Sequence, residues 1–107
     1  MTLRLPQNFS GRSASSAVDI MAAEIRVEKA ISLERSGEAA VKTVAALKAA
    51  AASDPQRPRL LAEAAEAVWS YFIQRELMGQ ASHAAVIRDI GIPPEVIARL
   101  GARPKAE

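Results

Sequence analysis

One carboxylate interrupts the apolar face of the central predicted helix. Residues 60–79, LLAEAAEAVWSYFIQRELMG, have the pattern of an amphipathic helix, and Glu76 falls within its apolar face. A buried carboxylate must keep its water or find a partner. Lys29 is the one charge on the facing seam if this helix pairs with the preceding one. We therefore predict a buried charge pair between Glu76 and Lys29, with a functional carboxylate in a pocket as the alternative.

The other residues capable of chemistry do not form a recognisable set. His83 is the only histidine and the chain has no cysteine, so a zinc site lacks its usual ligands. Asp19, Glu24 and Glu28 follow one helix without the paired Glu-x-x-His motif of a di-metal bundle. Neither a histidine-activated serine nor a glycine-rich phosphate loop is present. The sequence predicts no catalysis, no metal and no cofactor.

The segment AAVIRDIGIPPEVIARLG, residues 84–101, has the order of a helix-turn-helix, with Gly91 at the turn. Ile87 stands where the crossing of two such helices usually takes a small residue. The second helix would offer only Glu95 and Arg99 as charged groups. We predict two packing helices here, and keep a nucleic-acid-associated regulator using residues 84–100 as the alternative function.

Composition limits the class of protein. A chain of 107 residues suits one domain, and its alanine-rich sequence with 4% aromatics shows no period-two alternation, which favours an all-α fold. The net charge is +2, from 14 basic and 12 acidic residues, without a basic stripe for nucleic acid. Neither a membrane span nor a signal peptide is recognisable, so we expect a cytoplasmic protein that does not bind membranes.

The ends of the chain are expected to be irregular. Pro6, Gly11 and several hydroxyl residues interrupt residues 1–15, which we predict to be a flexible arm. A single helical domain is predicted over residues 16–101, followed by a tail at 102–107.

The first helix should begin after a cap at Ser15 or Ser16 and run to Ala52. Gly37 either divides it or lies within one continuous helix. We favour continuity because no good N-cap follows Gly37 and because one apolar seam passes through it. At Gly37 the absent side chain would let another helix approach closely, at a cost of about 1 kcal/mol in helix propensity.

A turn at residues 53–58, with Asp54 as the N-cap of the next helix, makes the two long helices antiparallel neighbours. At about 1.5 Å per residue the first is about 55 Å long and the second about 35 Å, so half of the first helix is left uncovered. That half is apolar on two sides. We predict that the C-terminal segment covers one side and that a second copy covers the other, forming a homodimer on Ile20, Val27 and Ile31.

The predicted fold is thus all-α, a long antiparallel helical hairpin with two short C-terminal helices packed back on it. At VWSYFIQRELMG and IRDIGIPPEVIARLG the chain resembles a family of small helical bacterial proteins of unknown function, over most of its length after the arm. The resemblance implies no activity, ligand or catalytic residue. The expected role is a non-catalytic interaction or structural protein, with an unidentified protein as a further partner class.

Overall fold

Helices account for nearly all regular structure in the described part of the chain. The structure, a computed structural model, describes the backbone of residues 4–101 and the side chains of residues 16–101. In chain order the helices are α1 (Arg4–Ala49), α2 (Arg57–Leu77), α3 (Ala84–Ile90) and α4 (Pro94–Gly101). The described range contains no strand, and none of its helices has the length and apolarity to cross a bilayer. The predicted all-α fold is confirmed.

Helix α1 passes through Gly37 without interruption, as predicted. A Cβ atom at Gly37 would lie 3.1 Å from Cε1 of Tyr71 on α2. The missing side chain therefore leaves room for the tyrosine ring, and the alternative in which Gly37 ends the helix is wrong.

The start of α1 differs from the prediction. The helix begins at Arg4, so the irregular backbone predicted for residues 1–15 is wrong over residues 4–15. Pro6 falls in the first turn, where backbone N–H groups have no intrahelical partner, and an internal glycine costs only about 1 kcal/mol. The flexibility of this arm stays a prediction. Residues 1–3 and the predicted tail at 102–107 lie outside the described residues.

The chain divides into two compact units, a first unit of residues 1–31 and a second unit of residues 32–107. In the described part of the first unit, residues 16–31, every residue is exposed except Ala22, which is half-buried. The predicted domain at 16–101 spans the boundary between these units.

The core of the second unit consists of small and medium-sized side chains from α1, α2 and the C-terminal segment: Ala40, Val44, Leu47, Ala64, Ala65, Val68, Ile92 and Val96. Alanines at the contact bring α1 and α2 close together, which leaves the large rings at its edge. Trp69 is 38% exposed and Phe72 is half-buried, so the fully buried part of the core is aliphatic.

Helices α3 and α4 pack back on this core, as the predicted architecture requires. Their apolar side chains contact it through Val86, Ile87, Ile90, Ile97 and Leu100. Gly91 ends α3 in the left-handed conformation, with φ of 74°. These contacts lie within the second unit. The expectation that the same segment covers one side of residues 16–31 stays a prediction.

The turn before α2 is also built differently. Asp54 does not cap the helix; its Oδ1 accepts a hydrogen bond from the backbone N–H of Gln56 at 2.8 Å. Helix α2 begins at Arg57, with Pro58 in the first turn, where its missing donor costs no helical hydrogen bond.

Candidate functional site

Polar side chains converge on His83, where the connection to α3 passes the end of α2. Arg75 Nε donates to His83 Nδ1 at 3.2 Å, and His83 Nε2 lies 3.0 Å from Oε2 of Glu76. The imidazole stacks on Phe72, with ring centroids 4.1 Å apart and planes 2° from parallel. Only 14% of the His83 side chain is exposed. We call these four residues the His83 cluster.

The hydrogen bonds assign the tautomer of the imidazole. A guanidinium N–H can only donate, so Nδ1 of His83 must supply the lone pair. The ring proton then resides on Nε2 and is donated to the carboxylate of Glu76. Because both ring nitrogens are engaged, neither presents a free lone pair to act as a general base or a metal ligand. These hydrogen bonds hold the connection between α2 and α3 against the last turn of α2.

Arg75 holds the connection at two further points. Its Nη1 donates to Oε1 of Gln80 at 2.9 Å and its Nη2 donates to the carbonyl of Ser82 at 2.7 Å, while Cζ lies 5.8 Å from the Tyr71 ring centroid. One guanidinium therefore ties residues 80–83 to the last turns of α2.

The backbone at the end of α2 brings these groups together. Gly79 has φ of 85°, the left-handed region. The N–H of Gln80 donates to the carbonyl of Arg75 at 2.8 Å, and the N–H of Gly79 donates to that of Glu76 at 3.0 Å. These bonds form a Schellman motif, which reverses the chain and returns His83 to the helix it has just left.

The predicted buried charge pair joins Glu76 of the second unit to Lys29 of the first unit, and it stays a prediction. The Glu76 side chain is 50% exposed and Lys29 is exposed, and the described residues include no buried charged side chain. Glu76 lies in the last turn of α2, beyond the core, and contacts His83. The sequence analysis did not predict the contact with His83; the signal for it is Gly79 between the two residues, since a helix-ending glycine folds the chain back.

The predicted interaction residues lie in the first unit, and all are exposed: Ile20 by 57%, Val27 by 57% and Ile31 by 43%. At about 100° per residue they share one side of α1, which we call the first stripe. A second stripe lies about 100–160° around the helix from Ile20. It consists of Val18, Met21 and Ile25, which are exposed by 64%, 60% and 49%. A shallow groove along the first stripe is lined by Ile20, Ala23, Glu24, Val27 and Glu28.

The helix-turn-helix-like segment is occupied by packing, as predicted. Val96 is fully buried, and α4 contacts α2. The guanidinium of Arg57 donates two hydrogen bonds to the carboxylate of Glu95. The bond from Nη1 is 3.0 Å long. This contact lowers the pKa of Glu95 from its ordinary 4.5 and raises the pKa of Arg57. Arg99 is the basic residue in the last turn of α4.

Comparison with known proteins supplies a family and no activity. Residues 3–107 match a family described as a family of unknown function (DUF6665). No curated protein and no solved structure matches the chain. The resemblance noted at residues 68–79 and 87–101 is thereby confirmed as one to a family of unknown function.

Proposed function

We propose that this chain, which belongs to the family of unknown function DUF6665, is a non-catalytic interaction protein that associates with a second copy of itself. The contact surface is the first stripe, formed by Ile20, Val27 and Ile31. A homodimer is the smallest assembly in which that surface is covered.

The proposal is carried by the exposure of large apolar side chains in the first unit. Single exposed apolar residues are ordinary on protein surfaces. Here six of them follow one another over about four turns of one helix, each exposed by at least 43%. Burying such a side chain completely contributes about 1.5–3 kcal/mol, and helices are generally stabilised by covering their apolar side. Exposed apolar surface concentrated in one segment is typical of an interaction site.

The net charge of the segment permits a second copy as the occupant. Residues 16–31 contain three acidic and two basic side chains, namely Asp19, Glu24, Glu28, Arg26 and Lys29. Two copies therefore meet with nearly balanced charge, and long-range repulsion between them is small.

The alternative, a nucleic-acid-associated regulator, has less support. Glu95 would be a charged group of the reading helix, and its carboxylate is engaged by Arg57. Val96 on the same helix is fully buried. A helix that reads a groove needs several side chains free to reach bases and phosphates.

The test is the solution mass, measured by sedimentation equilibrium from micromolar concentration upward. The parent protein should exceed the mass of one chain, and Ile20→Ser with Val27→Ser should lower that mass. Val41→Ser is the matched control, since Val41 is 51% exposed but belongs to the second unit. A parent protein that stays at one chain at the highest concentration would overturn the proposal.

A further inference from the structure

We infer that the first stripe of one copy packs on the second stripe of the next, so that association proceeds head to tail and continues beyond two chains. The inference rests on the proposed self-association and specifies its geometry. The evidence is the placement of the two stripes and of the charges beside them.

The two stripes cannot be covered by one partner helix. Residues 20, 27 and 31 lie within about 40° of one another around the helix, whereas residues 21, 25 and 18 lie roughly 100°, 140° and 160° from residue 20. The second stripe is at least as exposed as the first, at 49–64% against 43–57%. Covering only the first stripe would leave the second in water.

The charges distinguish the stripes. Glu24 adjoins the first stripe, at about 40° from Ile20, whereas Glu28 lies between the two stripes, at about 20° from Met21; both line the groove. Lys29 lies beside the second stripe, at about 20° from Val18 around the helix. None of these three charges is in an ion pair within the described residues.

Those charges favour unlike stripes over like ones. Packing first stripe on first stripe would bring the Glu24 carboxylates of two copies to one interface, a repulsive arrangement. Packing the first stripe on the second places Glu24 of one copy near Lys29 of the next. Because the stripes lie on different sides of the helix, such a heterologous contact does not close after two copies and leaves one stripe of each kind open at the ends.

The contact between two stripes is small. A half-exposed side chain of this size loses on the order of 50 Å² of apolar surface when it is covered, so six of them give roughly 300 Å², against about 1,200 Å² for stable specific interfaces. The assembly should therefore be reversible, and its average mass should rise with concentration instead of stopping at a fixed number of chains.

Complementation between two blocked variants tests the geometry. Val27→Glu blocks the first stripe and leaves the second, and Ile25→Glu does the reverse. Because both side chains are exposed, both variants should keep the helical circular dichroism of the parent. Each alone should sediment as one chain, and an equimolar mixture should reach two chains and no more. The parent should pass two chains, and added salt should lower its mass.

The outcomes separate the inference from the function on which it rests. If Ile25→Glu dimerises by itself, the contact joins two first stripes; the proposed function stands and the head-to-tail geometry is wrong. If the parent stops at two chains, or if the mixture stays at one chain while the parent grows, the head-to-tail geometry is also wrong. If the parent stays at one chain throughout, both proposals fail.

Discussion

The two units of the chain share helix α1 and use their apolar residues in opposite ways. In the second unit Val44 and Leu47 of α1 are 1% and 0% exposed, covered by α2 and α4. In the first unit Ile20 and Val27 of the same helix are more than half exposed. Helical spacing of apolar residues is common to both. Spacing therefore identifies an apolar side of a helix, but whether that side is covered depends on which element the turns bring to it.

The largest effect is expected from shortening a side chain in the core of the second unit. Leu47→Ala removes a fully buried side chain and should lower the free energy of unfolding by about 2–5 kcal/mol. The matched change Ile25→Ala, at a side chain 49% exposed, should alter it by no more than about 0.5 kcal/mol in dilute solution. Urea unfolding followed by circular dichroism measures both. Equal losses would show that the first unit has a core of its own.

The turn at Gly91, between α3 and α4, provides the second test. Gly91→Ala forces an alanine into the left-handed region, and the added Cβ would lie 2.6 Å from Nζ of Lys48. Lys48 can move aside, so the loss should be about 1–2 kcal/mol, set by the backbone conformation. Gly101→Ala is the control, since a Cβ there has nothing within 4 Å and no positive φ. An unchanged denaturation midpoint for Gly91→Ala would contradict this account of the turn.

The His83 cluster offers a smaller and more local test. Arg75→Gln removes the guanidinium that ties residues 80–83 to α2 and should cost about 1 kcal/mol, the usual net value of a hydrogen bond. Amide hydrogen exchange should accelerate at residues 80–83 and stay unchanged at residues 40–47. Arg59→Gln, which breaks an exposed pair with Glu63, should cost only about 0.3–0.5 kcal/mol. Equal exchange at residues 80–83 in both variants would show that Arg75 holds nothing there.

Acid should weaken the ion pair between Arg57 on α2 and Glu95 on α4. Since the hydrogen bond from Arg57 lowers the folded-state pKa of Glu95, its stabilisation is present above the ordinary pKa of 4.5 and is lost as pH falls through the folded-state value. The parent should be more stable than Glu95→Gln at neutral pH, and the difference should shrink below pH 4.5. Thermal unfolding of both proteins across that range gives the measurement. A stability difference between the two proteins that does not change with pH would show that the ionisation of Glu95 does not contribute to it.

Much of the fold follows from local rules. Apolar periodicity predicts α1 and α2, and Gly37 on the seam predicts the close approach that Tyr71 makes. The C-terminus of α3 follows from Gly91, and the N-terminus of α4 follows from the proline pair at 93–94. These features depend on neighbours in sequence or on one facing helix, which a single chain encodes directly.

What the sequence could not supply is the path of the connections after α2. His83 lies seven residues beyond Glu76, and the Schellman turn at Gly79 brings the two side chains together. The apolar residues of α3 and α4 pack on the core around Leu47, a position that their spacing alone does not specify. In both cases several partners satisfied the same periodicity, and the path of a short connection decided between them.

The positions of the two chromophores, Trp69 and Tyr71, have a practical consequence. The chain has one residue of each type, and both lie on α2 in the second unit. Intrinsic ultraviolet fluorescence therefore reports on the second unit. A fluorescence melt would follow the collapse of the aliphatic core and give no signal from residues 16–31. Observing that region calls for a tryptophan introduced there or an isotope label.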